Sequence, residues 1–173
     1  MCFLVWMGLG RLVVLDADSL LLLTGYFSSS SCGWWGGVLS REASGFYECV
    51  EWLREWLSGG GVEGVVIPSG VLLEVLACLR CSGLGVSDVL DVVAGVVGGL
   101  DRVCVFYLDD YLVFSMGYGL GFVEPGGCPV CMQYVLEAVV AAMLLGAVLV
   151  TFSRSLAGRA RSVGVDVCCC GLC

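Results

Sequence analysis

The chain has 173 residues, 59% of them hydrophobic and only 14% charged, with a net charge of −8. It is long enough for a domain with a real core and too apolar to be disordered. The acidic balance argues against a general basic groove for nucleic acid, but leaves room for a nucleic-acid site in which metal ions offset the protein's own acids.

Lys, Asn and His are absent, and Ile67 and Gln133 are the only residues of their kinds. The missing residues have codons rich in A or C, whereas the abundant Cys, Gly, Val, Leu and Trp can be written largely with G and T. A strand-skewed gene explains both, so the twelve cysteines weigh less as a chemical signal than their number suggests. The scarcity of Asn and Gln fits a thermophile; the absence of Lys does not.

Along the chain, Arg11 to Leu15 reads as a short buried strand. The segment after Asp18 starts a helix with Ser19 near its cap. Ser28 to Gly37 is a loop by its Ser and Gly content. Phe46 to Leu57 is an amphipathic helix, with Phe46, Cys49, Val50, Leu53 and Leu57 on one face. A glycine-rich linker leads to a strand at Val65 to Ile67. The next helix opens at Pro68-Ser69, with Ser69 as N-cap. It is apolar nearly all round apart from Glu74 and Arg80, so burial is expected. Another helix starts at Ser87, and Val103 to Leu108 is a strand. A Gly/Pro-rich loop then runs into a helix at Met132 to Leu145. Ala147 to Phe152 is a strand, Arg154 to Gly164 a last helix, and "VDVCCC" a final short strand.

Strands alternating with helices predict a three-layer α/β/α sandwich around a central, mostly parallel sheet. A single domain over 1–173 is expected, its core at about 11–167, with a Cys-rich tail at 168–173. Tyr134 to Phe152 approaches the ~20 apolar residues of a membrane span. Glu137 and the Gly146-Ala147 break instead favour a helix, a turn and a buried strand. The start of the chain lacks the basic residues and cleavage site of a signal peptide. A cytoplasmic protein with no membrane association is the expectation.

The acids mark a candidate site. In open α/β sheets, sites lie outside the carboxyl ends of strands. Asp16 directly follows the first strand, Glu74 lies about one turn into the helix after the second, and Ser153 follows the strand at "AVLVT". A buried, unpaired carboxylate is costly, so it implies a partner or a metal.

Three segments carry a family resemblance: "VVLDADSLL", "VVIPSGVLLEVLACL" and "AAMLLGAVLVTFSRSLAGRARSVGVDV". In this order and spacing the sequence resembles the PIN domains, most familiar as VapC-type toxins. The resemblance implies a compact α/β/α nuclease whose clustered carboxylates hold Mg²⁺ or Mn²⁺ and which hydrolyses RNA phosphodiesters. It maps Asp16 and Glu74 to the catalytic, metal-binding acids. It also implies an RNA substrate and a small antitoxin protein as partners. A mean hydropathy of +0.98 adds the expectation of an apolar surface covered in a homodimer or hetero-oligomer.

The chain departs from the family pattern at two acids. The position eleven residues before the turn glycine Gly146 is Val135, and the position after "VT" that usually holds the fourth acid is Ser153. Glu137 is the nearest substitute for the third acid, but lies about 200° around the helix from Val135. Asp18 stands where the family usually has Ser or Asn and adds a carboxylate.

Blander roles compete at each position. Asp16 can simply cap a helix. Glu74 can pair with Arg80, and Glu137 can be an early-helix acid favoured by the dipole. Arg154 and Arg159 are the candidate phosphate contacts, with Arg161 beside them, against a solvated helix face. Stacking of Trp34 and Trp35 on a base competes with loop packing. Cys78/Cys81, Cys128/Cys131 and Cys170/Cys173 form CxxC pairs. Core packing is the expectation for the first, and a Zn²⁺ site from the other two is disfavoured by the biased composition. The leading reading is therefore a metal-dependent endoribonuclease of PIN type, weakened by its missing acids. A non-catalytic PIN-like domain that binds protein or RNA and a Cys-rich zinc or redox protein are the alternatives.

Overall fold

The computed structural model describes residues 11–25, 43–122 and 129–169, without the side chains of 43–48 and 129–134. The elements, in chain order, are β1 (Arg11–Leu15), α1 (Ala17–Leu23), α2 (Ala43–Ser58), β2 (Val62–Pro68), α3 (Ser69–Cys81), α4 (Val86–Gly99), β3 (Val103–Phe106), α5 (Asp110–Gly119), α6 (Pro129–Leu145), β4 (Val148–Val150), α7 (Arg154–Ser162) and β5 (Val167–Cys168). The predicted loop at 28–37, Trp34 and Trp35 included, lies outside the described residues.

The strands form one sheet in the order β3-β2-β1-β4-β5, and every pairing in it is parallel. Helices flank this sheet, giving the expected α/β/α class. Central strands buried on both faces need apolar residues at consecutive positions rather than alternate ones. Val13, Val14 and Leu15 of β1 and Ile67 of β2 are accordingly all at 0% exposure. The chain leaves β1 toward β2 and returns to the other side of β1 only at β4. The switch point of the sheet therefore lies between β1 and β4, where an open α/β fold makes its crevice.

Around the sheet, α2 buries Val50, Leu53 and Leu57 and exposes Glu51, Arg54 and Glu55, as its periodicity requires. From Tyr134 to Phe152 the chain continues α6, turns at Gly146 with φ 59°, and enters β4. No helix among the described residues is long and apolar enough to cross a membrane.

Three expectations need correction. Helix α5 falls in a stretch with no predicted element. Its tyrosines, β-branched residues and glycines are weak helix formers, yet Asp109 caps it, accepting from the backbone N–H of Tyr111 at 3.0 Å and Leu112 at 3.2 Å. Gly117 lets α5 approach α6 closely, since a Cβ there would lie 2.8 Å from Leu136 Cδ1. Helix α3 is not buried all round: Leu73 is 61% exposed, and only one face packs inward. Ser69 is the first residue of α3 rather than its cap; Pro68 occupies the cap position and provides no side-chain acceptor.

Candidate metal-binding site

At the carboxyl end of β1, Asp16 ends the strand and caps α1. Its Oδ1 accepts the backbone N–H of Ser19 at 2.8 Å, and its own N–H donates to the Val150 carbonyl at 3.2 Å. The capping role and the strand-end role thus coincide in one residue. The Thr151 hydroxyl donates to the same carboxylate, and the Ser19 hydroxyl donates to Val150 O at 2.9 Å. These groups tie Asp16 into the β1/β4 switch point. Among the described residues the buried polar side chains are Asp16, Ser19, Glu137 and Thr151, and three of these four belong to this one network.

Asp18 and Glu74 face the same place from α1 and α3. Burial, then the charges of Asp16 and Glu74, push the Asp18 carboxyl up to about 8. Burial, then the charge of Asp16, pushes Glu74 up to about 7. Burial also raises Asp16, against the hydrogen bonds from Ser19 and Thr151. Asp18 Oδ1 and Glu74 Oε2 are buried without a hydrogen-bond partner. The structure therefore brings Asp16, Asp18 and Glu74 within electrostatic reach of one another at the switch point. Arg80 does not neutralise Glu74; its guanidinium donates to the Leu84 carbonyl.

Carboxylate oxygens are the hard donors that Mg²⁺ and Mn²⁺ take. Two buried, unpartnered carboxylate oxygens beside a third acid fit such an ion in charge and donor type. Among the described residues, no three His, Cys, Asp or Glu side chains form a ready ligand set as they stand. Side-chain closure and waters would have to complete the coordination.

Glu137 stands apart from this group. It lies in the middle of α6 rather than early in the helix, is 2% exposed, and its carboxylate lies against Gly70 at the start of α3, with Oε2 buried and without a hydrogen-bond partner. Burial raises its pKa, the neighbouring charge of Asp110 adds to that, and the N–H groups of Gly70 and Val71 oppose it. Val135 packs partly buried against the core. Ser153 caps α7, its hydroxyl accepting from Leu156 N at 3.3 Å, and its own N–H donates to Thr151 Oγ1 at 3.0 Å.

The arginines divide. Arg159 stacks over the Phe122 ring at 5.0 Å and donates to the Phe122 carbonyl at 2.7 Å, so its guanidinium secures the end of the α5 segment. Arg161 donates to Val167 O at 3.2 Å. Arg154 is exposed at the start of α7. Cys169 is a buried free thiol just past β5. Burial raises its pKa, Arg161 and Arg154 lower it, and Asp16 raises it.

The sequence reading missed Ser19, Thr151, Gly70 and Cys169. The hydroxyls had a signal, since each sits within four residues of a strand end bearing the site. Cys78 and Cys81 are not disulfide-bonded, and Cys81 is exposed rather than packed in the core; Cys49 and Cys168 each take part in a disulfide. Cys128, Cys170 and Cys173 and the Cys131 side chain lie outside the described residues.

No known protein-family pattern matches the chain, and no curated protein sequence is significantly similar to it. Among solved structures, the chain is similar to a protein of Pyrobaculum aerophilum, with 17% identity, TM-score 0.48, and coverage of 91% of this chain and 89% of the other. It is also similar to a PilT N-terminus domain protein of Sulfolobus solfataricus, with 16% identity, TM-score 0.41, and coverage of 91% and 85%. A domain of a functionally unknown Methanocaldococcus jannaschii protein matches with 14% identity, TM-score 0.48, and coverage of 92% and 91%.

Proposed function

We propose that this chain is a PIN-like, metal-dependent nuclease domain that hydrolyses RNA phosphodiesters in the manner of VapC-type toxins, with Asp16, Asp18 and Glu74 as its metal-binding acids. The observation that carries the reading is that these carboxylates act on one another's charge near the β1/β4 switch point, with Asp18 Oδ1 and Glu74 Oε2 buried and unpartnered. A divalent ion bound there would neutralise the cluster, lower the pKa of a water and stabilise charge developing on a phosphate. Asp16 would supply the most rigid ligand, because Ser19 and Thr151 hold its carboxylate. Asp18 takes over part of the role of the acids missing at Val135 and Ser153. Arg154, exposed at the start of α7, would meet the RNA backbone as a positioning contact.

A second reading rests on the same two missing acids: a domain that binds RNA or protein without cutting. An RNase assay separates them. With Mn²⁺, which binds such sites more tightly than Mg²⁺, the wild type should cleave RNA slowly. Asp16→Ala, Asp18→Ala and Glu74→Ala should each remove the cleavage, and Val135→Asp combined with Ser153→Asp should raise it. Cleavage indifferent to Asp16 and Glu74 would end the nuclease reading. RNA binding without cleavage, even in the double variant, would establish the binding module.

A further inference from the structure

Helix α3 carries Glu74, and its first turn has an unusual means of support. The first N–H groups of a helix have no partner inside it, and a side chain at the N-cap normally answers them. Pro68 has no such side chain. The carboxylate of Glu137, from α6, sits against this first turn instead, its Oε2, Cδ and Oε1 crowding Gly70; the N–H groups of Gly70 and Val71 act on it, although its Oε2 keeps no hydrogen-bond partner. An anion is electrostatically favoured at this end of a helix. The contact is close enough that a side chain at residue 70 would displace the carboxylate, since a Cβ there would lie 2.1 Å from Glu137 Oε2 and 2.7 Å from its Cδ. Val71 and Val75, at 0% and 1% exposure, seat the same two turns in the core.

Resting on the proposed metal reading, we propose that Glu137 is a positioning residue for the acid pocket: by capping α3 it sets where Glu74 stands relative to Asp16. Glu74 is four residues beyond Gly70, one turn further along the same side of the helix. A first turn freed from Glu137 can tilt or fray, and Glu74 moves with it while Asp16 stays fixed on β1. The acid nearest to the missing third position thus serves the site through the backbone rather than as a ligand.

The test uses the full chain with Glu137→Ala, Glu137→Gln and Gly70→Ala. Mn²⁺ affinity is measured by calorimetry on protein whose fold is checked by circular dichroism. Loss of an outer-shell partner weakens metal binding by about 10- to 100-fold, and that is the loss expected for Glu137→Ala. Glu137→Gln keeps an acceptor oxygen and should recover most of it. Gly70→Ala pushes the carboxylate away and should reproduce the loss, with the double variant no weaker than either single one. Val93→Ala, in α4, lowers stability without touching the cap and should bind Mn²⁺ as wild type does. If Glu137→Ala does not fold, Gly70→Ala against Glu137→Gln decides. A folded Glu137→Ala or Gly70→Ala with wild-type affinity overturns the proposal. A wild type that binds no Mn²⁺ overturns the metal reading alone, and the metal-free protein then decides on positioning. There, Asp16→Asn should shift the Glu74 carboxyl carbon resonance in the wild-type background but not beside Glu137→Ala; equal shifts in both overturn the proposal.

Discussion

Glu137 and the trio of Asp16, Asp18 and Glu74 are carboxylates withdrawn from water, but their company differs. Glu137 meets two backbone N–H groups at a helix N-terminus. Asp18 and Glu74 meet chiefly other acids, and each keeps a buried oxygen without a partner. Glu137 Oε2 is unpartnered too, but the first arrangement sets a carboxylate against a helix N-terminus, which favours an anion. The second is a charge imbalance that the described residues do not resolve. Burial alone therefore does not mark a functional acid; the nature of its neighbours does.

The contrast predicts opposite signs on mutation, and the largest effect is at the cap. Glu137→Ala takes the carboxylate away from the first turn of α3, leaves a cavity in its place, and should destabilise the metal-free protein by about 2–3 kcal/mol in urea unfolding. Asp18→Asn removes the cost of keeping a carboxyl protonated far above its ordinary range and should raise the melting temperature by about 2–4 °C at neutral pH, equivalent to roughly 1 kcal/mol for a chain of this size. Two losses, or two gains, would erase the distinction.

The pH dependence follows from the same pocket. Asp18 is raised from 3.8 to about 8 and Glu74 from 4.5 to about 7, so the folded state holds both protons more tightly than the unfolded chain. Their contribution to stability is full below about pH 4 and is lost as pH rises toward 8. Metal-free protein should accordingly melt lower at pH 8 than at pH 5. Millimolar Mn²⁺ should restore stability at pH 8 by binding the ionised acids, and Asp18→Asn should flatten the profile. A flat wild-type profile between pH 5 and 8 would show that the acids do not confront one another.

The smallest effect sharpens the comparison at Ser153. Ser153→Ala removes the cap of α7 and should cost about 1 kcal/mol. Ser153→Asp keeps a capping oxygen and adds a carboxylate near Thr151, so its stability should stay close to wild type while Mn²⁺ binding tightens.

Much of this arrangement was legible in the sequence. The apolar runs of β1, β2 and β4 each end at a polar or turn residue, and that punctuation located Asp16 and the helix that carries Glu74. Gly146 marked the turn between α6 and β4. Helix α5 was illegible because its cap at Asp109 and its packing against Leu136 outweigh weak local propensity. The role of Glu137 was illegible for another reason: it is a contact between α6 and the start of α3, which no local pattern encodes. The apolar composition of α3 promised burial on all sides, yet Leu73 faces outward, because the sheet and α6 cover only part of the helix.

The central claim is that the trio of acids forms a cation site. The most direct measurement is a Mn²⁺ titration of the full chain at pH 7.5, following the free ion by electron paramagnetic resonance. One bound Mn²⁺ per chain is expected, weakened at least about 10-fold by Asp16→Asn, Asp18→Asn or Glu74→Gln, each of which removes a direct ligand. No binding at millimolar Mn²⁺, or binding unchanged by all three substitutions, would contradict it.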